Sequence, residues 1–262
     1  MTREPVRVAR CDSHVHTAFS PDSRQSMADQ CARAAALGLD AVCFTEHLDF
    51  SEQSRGYYCP QAYFSELQRL REAYDGQLKL LAGLELSEPH QHQKELEWAQ
   101  TQPYDFILGS VHYWIHGLFP SQMQELHMDV ADCFARYWDE VLQMARCGGF
   151  DTVAHLDFPK RYFRVLKYDP AQIDEIFQAM IKNNLTLELN TSSLRRGMDE
   201  TMPGDALLRQ YIAQGGQYVT LGSDAHKATV LYRDVPTAQA YAQSLGLVPV
   251  WYEKRKRRTL AL

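Results

Sequence analysis

A distorted, TIM-like (β/α)7 barrel with a metal site at the C-terminal ends of its strands is the fold class the sequence predicts. Three observations predict it. Short β-rich runs alternate with amphipathic helical patterns, which implies parallel strands joined by right-handed crossovers. Each run is short and apolar, which suits strands covered on both faces. Seven runs are more than the simplest small open sheet needs and enough to form a barrel; an open doubly wound sheet is the alternative.

The first run is VARCDS (8–13). A helix over 24–37 follows it and stops at Gly38, a residue suited to the turn after a helix. AVCFT (41–45) is the second run, and its helix, 60–74, opens on a proline. Proline is tolerated there because first-turn N–H groups lack intrahelical partners. LKLLAGLE (78–85) and DFILGS (105–110) are the third and fourth runs; between them PHQHQKELEW reads as the polar start of a helix. A helix over 129–146 ends at Gly148-Gly149, before the fifth run, DTVAH (151–155). The helix over 170–182 has Asp169 as its N-cap and Pro170 at its first position. LTLELN (185–190) and YVTLGS (217–222) are the last two runs, followed by helices over 203–214 and 234–244. The basic run EKRKRR (253–258) reads as a solvated terminus.

The chain has 262 residues with no repeat, low-complexity segment or Pro/Gly/Ser linker, so one domain over 1–262 is expected. A net charge of −6 argues against nucleic acid or an anionic membrane as the main partner. No apolar run approaches a membrane span, and the start MTREPVRVARCD lacks the apolar core of a secretory signal. The six cysteines are scattered with no CxxC, which suits reduced thiols in a cytoplasmic protein.

In such a barrel, chemistry sits at the carboxyl ends of the strands. Run one leads to His14 and His16, and run two to Glu46 and His47. Run three ends at Glu85; run four leads to His112; run five ends at His155. Run six ends at Asn190, with Ser192, Ser193 and Arg195 beyond, and run seven leads to Asp224 and His226. Six of the ten histidines thus lie at one end of five strands. His14/His16 and Asp224/His226 are i, i+2 pairs, which extended backbone places on one face. With Asp22, nine candidate ligands converge: His14, His16, Asp22, His47, Glu85, His112, His155, Asp224 and His226. One zinc takes about four ligands, so nine call for two or three divalent ions with bridging carboxylates. Histidine-rich sites with carboxylates accept Zn, Fe or Mn. A single histidine at a strand end is ordinarily a satisfied polar residue. The ensemble is different, because burying so many imidazoles and acids without a cation leaves charge unpaired. His90 and His92 lie in the polar helix start and read as solvated.

The ordered fragments HxH, TEH, GLE, SVH, AHLD and SDAH, spread over residues 12–226, resemble the PHP (polymerase and histidinol phosphatase) superfamily. FTEHLDF (44–50), ILGSVHYW (107–114) and ELNTSSLRRG (188–197) are similar to its PHP-type histidinol-phosphatases. The resemblance implies a distorted (β/α)7 barrel and a trinuclear metal centre. It implies His14, His16, Glu85 and Asp224 on a first ion, with Glu85, His112 and His155 on a second. Asp22, His47 and His226 would take a third. It also implies phosphate contacts from the segments HLDFPKRY (155–162) and NTSSLRRG (190–197). These are assigned to Arg161 and Arg195 with Ser193 beside them; Lys160 and Arg196 are one residue away.

The reaction so implied is hydrolysis of a small phosphomonoester, L-histidinol phosphate, by a metal-bridging hydroxide, with Arg161 and Arg195 holding the phosphoryl oxygens. Asp224, His226 or a metal-bound water protonates the leaving group. No cysteine is followed six positions later by arginine and no DxDxT occurs, so a covalent phospho-enzyme is not expected. The alternatives are another PHP phosphoesterase, acting on phosphotyrosine or nucleotides, and a non-catalytic metal-binding module. Phe19, Tyr113 and Tyr162 are candidates to line the cup.

Overall fold

The computed structural model describes residues 9–260. Its strands and helices alternate as β1 (Cys11–Val15), α1 (Met27–Ala36), β2 (Ala41–Leu48), α2 (Pro60–Ala73), β3 (Lys79–Ser87), α3 (Gln93–Thr101) and β4 (Phe106–Ser110). Then come α4 (Pro120–Glu125), α5 (Val130–Cys147), β5 (Thr152–Val153), α6 (Lys160–Phe163), α7 (Pro170–Lys182) and β6 (Thr186–Asn190). The chain finishes with α8 (Asp205–Ala213), β7 (Tyr218–Gly222), α9 (Val235–Ser244), β8 (Val248–Glu253) and β9 (Lys256–Thr259).

Strands β1 to β8 pair in sequence order, each parallel to the next. This is the TIM-like arrangement the alternation predicts. The first and seventh strands also meet. β7 pairs with β8 through Tyr218–Thr220, but just past its end Ala225 bridges to Val15. The Asp224 N–H donates to the His14 carbonyl at 2.8 Å, and the His16 N–H donates to the Ala225 carbonyl at 2.9 Å. The carboxyl ends of β1 and β7 are thereby stitched together, which gathers the strand ends into a cup.

Local signals hold where their physics is strong. Asp169 caps α7 by accepting from the Ala171 N–H, with Pro170 next, as the sequence predicts. Gly38 follows α1 with φ +68. Helices α5 and α7 pack on each other with Phe134, Tyr137, Trp138 and Val141 buried on one and Ile173, Ile176, Phe177 and Met180 on the other. Burying each large side chain contributes roughly 1.5–3 kcal/mol.

Two expectations are corrected. The fifth strand is only Thr152–Val153, because His155 already has φ 24 and turns the chain out of the sheet. The basic run at 253–258 is no solvated tail: Glu253 ends β8 and Lys256–Thr259 is an antiparallel ninth strand. Lys254 and Arg255, at φ 51 and 60, form the hairpin turn. Their N–H groups donate to Asp105, and Arg255 pairs with Asp151 at 2.6 Å. Arg257 lies over the Tyr218 ring at 4.0 Å. Among the described residues, no helix is long and apolar enough to cross a membrane.

Candidate metal centre

Eight of the nine candidate ligands stand where a strand delivers them, and Asp22 lies in the loop between β1 and α1. His14 is on β1 and His16 follows it; His47 is on β2 and Glu85 on β3. His112 lies two residues past β4, His155 two past β5, and Asp224 and His226 follow β7. Asp224 has φ 53, a left-handed conformation that Asp tolerates better than most residues.

Glu85, fully buried, is the hub. Its Oε2 is 3.1 Å from His14 Nε2, 3.4 Å from His16 Nε2 and 3.1 Å from His47 Nδ1. Its Oε1 is 2.8 Å from His155 Nε2 and 3.3 Å from His112 Nε2. Asp224 Oδ1 is 3.6 Å from His16 Nε2 and 4.0 Å from His14 Nε2. Asp22, the exposed member, reaches His226 Nε2 at 2.9 Å and His47 Nε2 at 3.6 Å. All nine predicted ligands therefore come together.

Their nitrogens are oriented for a cation. Ser20 Oγ donates to Glu46 and accepts from the His47 N–H, so His16 Nδ1, 3.0 Å away, must be the donor of that contact. His14 Nδ1 faces Glu188 at 2.6 Å, and His226 Nδ1 faces the Asp224 carbonyl at 3.1 Å. In each case the proton belongs on Nδ1, which leaves the Nε2 lone pair for the cup. His226 Nε2 beside Asp22, and His47 Nδ1 beside Glu85, have no hydrogen-bond partner despite the short distances. Lone pairs and carboxylate oxygens that face one point without a hydrogen bond fit a cation. Four triads have donor atoms within 4.8 Å of one another: His14–His16–Asp224, His14–Glu85–His155, His16–His47–His226 and His47–Asp49–His112.

The electrostatics agree. Burial alone would push the Glu85 carboxyl up, but His14, His47 and His112 hold it well below the usual range. Burial opposes ionisation of Asp224 too, and Arg161 with His14 outweighs it. His14 is raised against the pull of burial by Glu188 and Glu85, whereas His16 is lowered by burial and by His47 and His226. Glu85 leans on the surrounding imidazoles for its charge, and Asp224 leans first on Arg161. Positive charge is what this cup demands.

The cup opens into a cavity of about 910 Å³ whose lining includes Arg161, Arg195 and Arg196. Arg161 is partly buried; its Nη2 donates to Asp224 Oδ2 at 2.7 Å and to the Ser192 hydroxyl. Arg161 Nε is buried without a partner. Arg195 donates to the carbonyls of Ser223 and Asp224. Lys160 turns away: it pairs with Asp157 at 2.6 Å and donates to the Thr201 carbonyl. Ser193 is not brought to the cavity, because its hydroxyl donates to the Glu200 carbonyl at 2.6 Å, and Ser192 takes the place beside Arg161. Tyr113 and Tyr162 line the cavity; Phe19 instead packs edge-on against Tyr63. His90 and His92 are not solvated as expected: His90 Nε2 lies 2.6 Å from Glu140, and His92 stacks on Phe50.

Sequence reasoning missed a set of buried acids. Asp49 lies 3.4 Å from His112 Nδ1, and Glu188 contacts both His14 and the His155 N–H. Asp12 accepts from the Ser223 N–H and hydroxyl. Glu88 accepts from the His112 and Tyr113 N–H groups, and burial pushes its carboxyl up to about 7. Asp49 is two residues past His47 and Glu188 two before Asn190, the same i, i+2 spacing that marks the ligands.

Comparison with known proteins places these residues in context. A family model described as "PHP domain" matches residues 12–192. A protein of Deinococcus radiodurans named "Probable histidinol-phosphatase" is 29% identical over 231 residues, 83% of this chain and 86% of that one. The "Histidinol-phosphatase" of Lactococcus lactis subsp. lactis is 26% identical over 250 residues, covering 90% of this chain and 91% of its own. A solved structure of histidinol phosphate phosphatase from Lactococcus lactis subsp. lactis, complexed with zinc, L-histidinol and phosphate, superposes with a TM-score of 0.82. That match has 23% identity and covers 97% of this chain and 100% of that one.

Proposed function

The chain belongs to the PHP domain family, and on that premise we propose that it is a metal-dependent phosphatase that hydrolyses L-histidinol phosphate to L-histidinol and inorganic phosphate. One observation carries the reading. Glu85 gathers five imidazoles, and Asp224 ties that cluster to Arg161 beside an open cavity. Relatives named histidinol-phosphatase span most of the chain, and the Lactococcus structure binds zinc, L-histidinol and phosphate.

His14, His16, Glu85 and Asp224 would hold one ion; Glu85, His112 and His155 a second; Asp22, His47 and His226 a third. The nitrogen-rich donor set favours zinc, iron or manganese. When bound, such ions supply Lewis acidity to the phosphoryl oxygens and a more acidic water. Arg161 offers its guanidinium to the phosphoryl oxygens, and Arg196, from the same cavity wall, adds a second fork. Arg195 acts on the same region by bracing Ser223 and Asp224. His226 passes a proton to the departing alkoxide oxygen of histidinol, while Asp224, paired with Arg161, stays ionised. Tyr113, Phe119, Phe158 and Tyr162 line the cavity and offer ring faces to an imidazole. The reading takes residues 1–262 as one cytoplasmic domain, in keeping with a single continuous sheet and cysteines that are free in the described residues.

A substrate panel tests it. Histidinol phosphate should show the highest kcat/KM against phosphotyrosine and nucleoside monophosphates, and chelation should abolish the activity. Preference for either competitor, or turnover that survives full metal removal, would refute the assignment.

A further inference from the structure

Glu188 on β6 is 1% exposed and belongs to none of the triads whose donor atoms converge. It nevertheless touches two ligands from distant strands. Its Oε1 is 2.6 Å from His14 Nδ1, and its Oε2 accepts the backbone N–H of His155 at 2.7 Å. Asn190 Nδ2 donates to the same Oε2 at 3.3 Å. A second observation shows that this contact is built into the sheet. At Gly222 on β7, a Cβ would stand 2.4 Å from Glu188 Oε1 and 2.4 Å from His14 Cβ. Real Cβ atoms do not approach so closely, so β7 carries no side chain where the Glu188–His14 pair passes.

We propose that Glu188 is a positioning residue: it fixes the His14 proton on Nδ1 and ties His155 to the same carboxylate, so that both Nε2 atoms face the metal cup at once. A carboxylate behind a metal-binding imidazole orients the ring and makes it a better donor. Here one carboxylate does so for His14 and sets the backbone of His155. The two residues share Glu85 on the other side, at 3.1 Å and 2.8 Å. Glu188 thus couples two of the proposed ion positions. The inference rests on the functional reading only in taking the occupant to be a divalent metal.

The test is zinc affinity of the full chain, measured by competition with a chromophoric chelator and without substrate. In Glu188→Gln the affinity should fall about 10–100-fold. The metal-free variant should melt within about 3 °C of the metal-free parent. Excess zinc should restore kcat for histidinol phosphate with KM unchanged. Gly222→Ala leaves both side chains in place but presses on their contact, and it should weaken zinc in the same way. Parental zinc affinity in Glu188→Gln or in Gly222→Ala overturns the proposal. So does a loss of affinity that excess zinc cannot rescue, since that marks a structural role. A parent chain that binds zinc but spares histidinol phosphate refutes the substrate alone; one that binds no zinc refutes both.

Discussion

Arg161 and Arg195 both reach Asp224, one at its carboxylate and the other at its carbonyl. That difference predicts different phenotypes. Arg161 binds a side chain that faces the cavity, so Arg161→Ala removes a charge from the phosphate's surroundings and leaves the backbone alone. Its kcat/KM should fall about 100-fold or more, the scale for losing one donor to developing negative charge, with metal content kept. Arg195 braces the carbonyls of Ser223 and Asp224, where Asp224 sits at φ 53. Without that brace the left-handed turn loosens and carries Asp224 and His226 with it. Arg195→Ala should therefore lower bound metal as well as turnover, as measured by elemental analysis after gel filtration. Equal metal content in the two variants would contradict the distinction. The sequence marked both arginines but could not separate them, because the difference lies in which oxygen each one meets.

At the scale of elements, α7 shows how a local signal becomes stability. Asp169 accepts from the Ala171 N–H at 2.9 Å, satisfying a donor that the first helical turn leaves open. Asp169→Ala should cost about 1 kcal/mol. A urea titration should show the midpoint falling with the slope unchanged, because the surface exposed on unfolding is the same; a midpoint equal to the parent's would deny the cap its role. Capped helices and strands covered on both faces were legible in the sequence for this reason: their signals are contiguous and each residue reinforces the next. The C-terminal hairpin was not. Its turn uses Lys254 and Arg255 at positive φ in place of glycine or asparagine. The basic side chains that read as solvated are held by Asp151, Glu253 and the Tyr218 ring, all distant in sequence from their partners or masked by the run of like charges. The short α4 and α6 were also missed, since four to six residues carry too little periodicity to stand out.

At the scale of the whole molecule, the cup is where the barrel is fastened. Its donors come from β1, β2 and β3 and from the segments after β1, β4, β5 and β7, so an ion held there bridges elements that lie far apart in sequence. These ligands were legible because strand ends project them in register. The acids behind them, Asp12 and Glu188, were not, because each sits inside an apolar run and only the folded sheet reveals its partner. Buried Glu85 and Asp224 need positive charge nearby, which the imidazoles offer Glu85 and Arg161 offers Asp224. Metal binding should then stabilise the entire fold by mass action, by about 4 kcal/mol when free metal exceeds its dissociation constant a thousandfold. For a chain of this length that corresponds to a rise of roughly 10 °C in melting temperature. Calorimetry before and after exhaustive chelation should show a drop of that size, reversed by zinc. Magnesium should fail to reverse it, because it demands oxygen donors and the cup is lined chiefly by imidazole nitrogens. A melting temperature indifferent to chelation would mean that the converging imidazoles and acids hold themselves together without a cation.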